Sequence, residues 1–220
     1  MTPARTRLSP AGVLCLAGWV AISAAPSATG APPDWQRTVI ENLWQAEYEF
    51  SAVGEGSWSA PNRAHDLRSF LSSEGLRLVP RRPVAQPWEL SLSLVGFGRG
   101  ESLGEPGAPI LPLAAAGNRV ELVRDELTEW YVNGPEGIEQ GFTIPLPPRS
   151  GHEGQPVVIE MQVAGGVVAD VSPDGQDVLF RTATGRAALR YAKLAVLDDA
   201  GRRLPSRFEA TGDRIRIVTE

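Results

Sequence analysis

Cysteine is almost absent from this chain of 220 residues, and histidine nearly so. Cys15 is the lone thiol and lies within the first thirty residues, so the remainder holds neither a disulfide nor a thiolate metal site and must take its stability from packing. His65 and His152 stand far apart in unrelated contexts, which excludes a three-histidine centre and leaves no paired-histidine zinc motif. Positive charge is also short, with 21 basic side chains against 26 acidic ones and a net charge of −5. General nucleic-acid binding needs basic surface that displaces counterions from phosphates, so nucleic acid is excluded as a partner. Long apolar runs are missing except for Ala11 to Ala25, which falls short of the roughly 20 residues needed to cross a bilayer.

That single run has the parts of a secretory leader. Arg5 and Arg7 precede it, and the small residues Ala28, Thr29 and Gly30 follow it, which predicts cleavage near Gly30 and a chain that is secreted, periplasmic or at the cell surface. Cys15 sits inside the apolar stretch after Leu14, where a lipid-attachment site requires a small residue, so it is expected to leave with the leader. Loss of residues 1–30 removes Arg5 and Arg7 and no acid, which takes the net charge to about −7 and leaves a cysteine-free mature chain with no transmembrane segment. About 190 residues suffice for one hydrophobic core, and no internal repeat marks a solenoid or propeller, so residues 31–220 read as a single β-rich module.

One helix is predicted, Asp34 to Glu47, from Trp35, Val39, Leu43 and Trp44 at helical spacing behind two prolines and a capping aspartate. Beyond Phe50 the period changes to two. Trp88, Leu90, Leu92 and Leu94 alternate with Glu89, Ser91 and Ser93, and Val157, Ile159, Met161 and Val163 alternate with Val158, Glu160 and Gln162, which places one strand face on a core. Further strands are expected at Leu67 to Leu71, Leu76 to Val79, Arg119 to Val123, Trp130 to Val132, Gly141 to Ile144, Val178 to Arg181, Leu189 to Val196 and Arg214 to Val218. Ser73-Glu74-Gly75, Ser172-Pro173-Asp174-Gly175 and Asp199-Ala200-Gly201 supply hairpin turns between them. Gly96 to Pro112 and Pro145 to Pro156 read as loops. The fold class is therefore mainly β, an antiparallel β-sandwich or open barrel with one short N-terminal helix.

Motifs that carry chemistry are few. The glycines of Gly96 to Gly104 do not fall at dinucleotide-loop spacing, and no lysine follows them as in a P-loop. Ser57, Ser59, His65 and Asp66 bring serine, histidine and acid together in sequence, but no G-x-S-x-G elbow accompanies them. Glu47 with Glu49, or two of Asp125, Glu126 and Glu129, could supply the carboxylate pair a glycosidase requires, but an exposed charged face explains them with fewer assumptions. Asp170, Asp174 and Asp177 bracket a turn without the spacing of a calcium loop; a plain hairpin turn is favoured, and calcium is the minor alternative to no cofactor.

Binding carries more weight than catalysis. Trp58, Trp130 and Tyr131 are the candidate ligand platforms for a peptide or glycan, because aromatic rings join a broad apolar face to a polar edge. Trp130 and Tyr131 are adjacent, so in a strand they face opposite sides and at most one anchors the core. Trp88 shares the phase of Leu90 and Leu92 and is expected in the core. Arg63, Arg68, Arg77, Arg81 and Arg82 form a local basic excess that could meet an acidic polysaccharide, but their interleaving with apolar residues favours the solvated faces of strands.

The ordered blocks AEYEF (Ala46 to Phe50), APNRAHDLRSFLSSEGLRLVPR (Ala60 to Arg81), WELSLSLVGFGRG (Trp88 to Gly100), EWYVNGPEGIEQGFTI (Glu129 to Ile144) and LRYAKLAVLDDAGRRLPSRFEATGDRIRIV (Leu189 to Val218) span most of the chain after the leader. Together they resemble the amino-terminal module of large secreted bacterial proteins that carry FG-GAP, integrin-α-like repeats. The resemblance implies architecture and brings no catalytic residues with it. Only Thr219 and Glu220 follow Val218 here, so the repeats, and the calcium and ligand functions associated with them, are not carried over. The expectation is a non-catalytic extracellular module that supports contact with protein or matrix, with a truncated fragment of a repeat protein as its origin. A glycan-binding module or a glycoside-active hydrolase is the alternative, and the absence of the extended tract that follows the final strand in similar proteins is expected to leave a sheet edge open.

Overall fold

A computed structural model describes residues 14–20, 47–110 and 113–220. Among them the chain is mainly β, with antiparallel pairing throughout and no helix. The helix expected at Asp34 to Glu47 lies outside the described residues except for Glu47, which stands in a turn.

The first sheet contains β1 (Leu14–Val20), β8 (Ala114–Ala116), β9 (Arg119–Val123), β10 (Thr128–Gly134), β11 (Gly137–Ile144), β13 (Val167–Val171), β14 (Val178–Thr182) and β15 (Ala187–Leu197), in the order β13-β14-β15-β1-β11-β10-β9-β8. The second contains β2 (Ser51–Gly54), β3 (Ser57–Asn62), β4 (Leu67–Ser72), β5 (Gly75–Pro80), β6 (Leu90–Arg99), β12 (Val157–Ala164), β16 (Ser206–Thr211) and β17 (Arg214–Thr219). Its order is β16-β17-β12-β6-β5-β4-β3-β2, with β7 (Ser102–Gly104) added beside β6. One continuous cluster of buried side chains draws on both sheets, with Val120, Tyr131, Phe142, Phe180 and Tyr191 from the first and Leu71, Leu78, Leu92, Ile159 and Ile217 from the second.

Two bulges keep the inward phase. On β15 the register slips opposite Ala17 and Trp19, and Lys193 there takes a left-handed φ of 63°, so that inward Leu189 and Tyr191 are followed by inward Leu194 and Val196. A second slip where β6 meets β12 carries the buried series Leu90, Leu92, Leu94 on to Phe97.

The structure corrects two expectations and locates the edges of the second sheet. Gly96 to Gly104 is a hairpin of β6 and β7 and not a loop, and glycine is needed there because a Cβ on Gly98 would lie 2.2 Å from the carbonyl oxygen of Ser102. Trp88 precedes β6 and is only half-buried, packed against the rim of the core. The final strand β17 is paired on both sides, by β16 and β12, so the free edges of the second sheet are β16 and β2.

Candidate functional site: surface grooves and a sealed polar cluster

Strand alternation decides which polar groups can meet a ligand. On β10 it turns Glu129 and Tyr131 inward and Trp130 outward. Glu129 and Tyr131 are both fully buried. Tyr131 Oη donates to Glu129 Oε1 at 2.5 Å, and Gln140 Nε2 from β11 donates to the same oxygen at 2.9 Å. Gln140 is reached in turn by Tyr191 Oη of β15, which donates to its Oε1 at 3.2 Å. Arg124 approaches Glu129 Oε2 at 3.4 Å and donates to the carbonyl of Gly107.

Burial pushes the Glu129 carboxyl above its usual range, although the donors Tyr131, Arg124 and Gln140 pull the other way. Burial, together with the Glu129 charge, also raises both Tyr131 and Tyr191. The cluster has donors, an acceptor and charge, but its members are buried, and its hydrogen bonds link β10, β11 and β15.

A carboxyl with a raised pKa holds its proton more tightly in the folded than in the unfolded chain. Its contribution to stability is therefore greatest below the ordinary carboxylate range and falls as pH rises through the folded pKa. Glu129→Gln removes that dependence. Denaturant unfolding across pH is expected to show the variant gaining on the parent as pH rises, by no more than about 1.4 kcal/mol per pH unit. A constant difference from acid to neutral pH would place the Glu129 titration outside that window.

The aromatic candidates separate. Tyr131 has no solvent contact. Trp130 is 9% exposed, with the Arg119 guanidinium 4.3 Å from its ring centre and its indole N–H donated to Thr143 Oγ1 at 3.2 Å. Glu121 accepts from Arg119 at 2.7 Å and holds that cover in place. Trp58 is half-buried and lines an open groove of about 420 Å³ with Phe70, Ser72, Glu74, Arg77 and Ser91. Arg77 lies over the Phe70 ring at 4.1 Å and pairs with Glu89 at 3.1 Å. A second open groove, of about 670 Å³, is lined by Arg81, Arg82, Pro83, Pro87 and Trp88.

The remaining candidates are engaged elsewhere. Asp66 accepts from Arg82 at 2.9 Å and from Arg81 at 3.2 Å, while His65 Nε2 meets the carbonyl oxygen of Pro135 at 2.9 Å. Ser59 accepts from Arg68 at 3.4 Å. The local basic excess is thereby partly neutralised, and Arg63 pairs with Glu47 at 2.8 Å. Asp125 and Glu126 face solvent and hold Arg149, away from buried Glu129. Asp170 pairs with Arg181 and Asp177 with Arg190, while Asp174 caps its turn by accepting from Ser172 Oγ and the Gln176 N–H. Among the described residues no three carboxylate, histidine or cysteine side chains converge.

Sequence reasoning passed over the buried amides. Asn62 of β3 and Asn133 of β10 join the two sheets, Asn62 Nδ2 donating to Asn133 Oδ1 at 2.9 Å. A strand phase that places asparagine inward is the signal that could have found them. No family model, curated protein or solved structure matches the chain.

Proposed function

We propose that the chain is an exported, non-catalytic β-sandwich module that binds an extracellular protein or matrix polymer through the Trp58 groove. The sandwich is supported by two sheets that each keep free edges and contribute to one core. The reading as a relative of the amino-terminal module of FG-GAP repeat proteins agrees with such an architecture. The observation that carries the function is the groove itself, which half-exposed Trp58 and Phe70 line with Arg77 lying over the Phe70 ring, while Glu129, the most deeply buried carboxylate among the described residues, is sealed. Ring faces beside Ser72 and Ser91 favour a glycan-binding module as the second reading.

Cosedimentation of the exported protein with insoluble cell-envelope polymer tests this. Trp58→Ala with Arg77→Ala is expected to weaken retention at least tenfold at a temperature where circular dichroism shows the variant folded, its melting temperature being lowered because Trp58 also packs against the core. Displacement by soluble oligosaccharide would select the glycan reading. Release of new reducing ends from the polymer would replace the binding module by a hydrolase.

A further inference from the structure

Strand β1 consists of residues that the sequence assigns to the apolar centre of an export leader, yet it occupies a central place in the first sheet. It runs antiparallel to β11 over all seven residues, from Leu14 opposite Ile144 to Val20 opposite Ile138. On its other side it pairs with β15, from Cys15 opposite Leu197 to Val20 opposite Tyr191. Removal of the leader would divide the sheet into two halves, β13 to β15 and β8 to β11, each with a row of unpaired backbone donors and acceptors facing a gap one strand wide.

Both walls of that gap are held without β1. The β8 to β11 half is tied to the second sheet by Asn62, whose Nδ2 donates to Asn133 Oδ1 and to the Gly134 carbonyl oxygen at 2.8 Å. The β13 to β15 half is tied to β16, where the Phe208 N–H donates to the Gly175 carbonyl at 2.7 Å and Gln176 Nε2 to the Ser206 carbonyl at 2.9 Å. The Tyr191 and Phe208 rings also pack at 5.0 Å. Beneath the gap, the Tyr191 hydroxyl of β15 reaches Gln140 of β11, a link that sets the walls two strand spacings apart, about 9–10 Å.

We propose that, once the leader is cleaved, the space between β11 and β15 is an acceptor site for an extended apolar strand of another polypeptide. This rests on the export reading above and names the partner chemistry that reading leaves open. The occupant is a run of about seven uncharged, proline-free residues with small side chains at its centre, because Ala17 and Gly18 stand opposite Gly141 and Gln140. Two edges pair with such a strand at once, so the main chain supplies affinity and the small central residues supply selectivity. The nearest remaining stretch of this chain, Asp34 to Glu47, does not fit that description, since its apolar residues recur at helical spacing and Arg37 and Glu41 interrupt them.

The test uses the exported protein and a synthetic peptide of residues 12–22 with terminal lysines for solubility. Intact mass first establishes where the exported chain begins. For a chain that starts near Ala31, the peptide is expected to bind saturably at one per chain and raise the melting temperature, and its Ala17→Pro form to bind at least tenfold more weakly. Register gives a second readout. Under mild oxidation the peptide thiol is expected to cross-link to Thr143→Cys, the β11 partner of Cys15, and not to Val168→Cys on exposed β13. If the exported chain requires the peptide to refold, recovery on its addition supports the site equally. A cleaved chain that neither binds the peptide nor refolds with it, or that cross-links equally at both cysteines, overturns the acceptor site and leaves the Trp58 groove untouched. An exported chain that retains residues 14–20 overturns it too, through the failure of the leader reading.

Discussion

Tyr131→Ala is expected to lower unfolding free energy by about 3–5 kcal/mol, the range for removal of a fully buried aromatic side chain. The ring belongs to the core cluster, and its hydroxyl is the shortest donor to Glu129. Alanine therefore leaves both a cavity and a buried carboxylate with one partner fewer, whereas Tyr131→Phe keeps the ring and loses only the hydroxyl, at about 1–3 kcal/mol. Chemical denaturation of the two variants separates packing from hydrogen bonding. A stability of the order of 10 kcal/mol for a single domain makes the alanine change severe. An unchanged midpoint for Tyr131→Ala would return the residue to the surface as a ligand platform.

The strands were legible where one face is apolar and the other polar. Leu90 to Leu94, Val157 to Val163 and Arg214 to Val218 all lie in strands at the expected phase. Less legible were strands whose inward positions are small or polar. In β3, Ala60 and Asn62 are buried within a Ser-Trp-Ser-Ala-Pro-Asn sequence that has no apolar alternation, and β16 carries only Phe208 into the core. The hairpin of β6 and β7 was hidden by its glycines, which signal a loop locally and here permit close backbone approach.

Function was less legible than fold, for a physical reason. Adjacency on β10 established that Trp130 and Tyr131 part company, but not that Arg119, eleven residues earlier, would cover the outward ring. Likewise Asp125, Glu126 and Glu129 form one acidic group in sequence, and only the alternation that starts at Thr128 sends Glu129 inward, away from the other two. The Trp58 groove assembles β3, β4, β5 and β6, so no single segment announces it.

Asn133→Ala is expected to cost about 2–4 kcal/mol, although it deletes no apolar surface of note. The side chain is fully buried, and its Nδ2 donates to the carbonyl oxygens of Tyr48 and Pro61, both at 2.9 Å, while its Oδ1 accepts from Asn62. Truncation strands one amide proton of buried Asn62 and takes the donor from two part-buried carbonyls. Asn62→Ala spares the bonds to Tyr48 and Pro61 but loses those to the Gly134 carbonyl oxygen and from the His65 N–H, so its cost is expected to be of the same order. In a double-mutant cycle the pair is expected to be less than additive by at least about 0.5 kcal/mol, since the second truncation finds the shared bond already gone. That bond holds the β8 to β11 half against the second sheet, so the Asn133 variant should also bind the residue 12–22 peptide more weakly. Strict additivity of the two variants would show that the bond between the two amides contributes no coupling between the sheets.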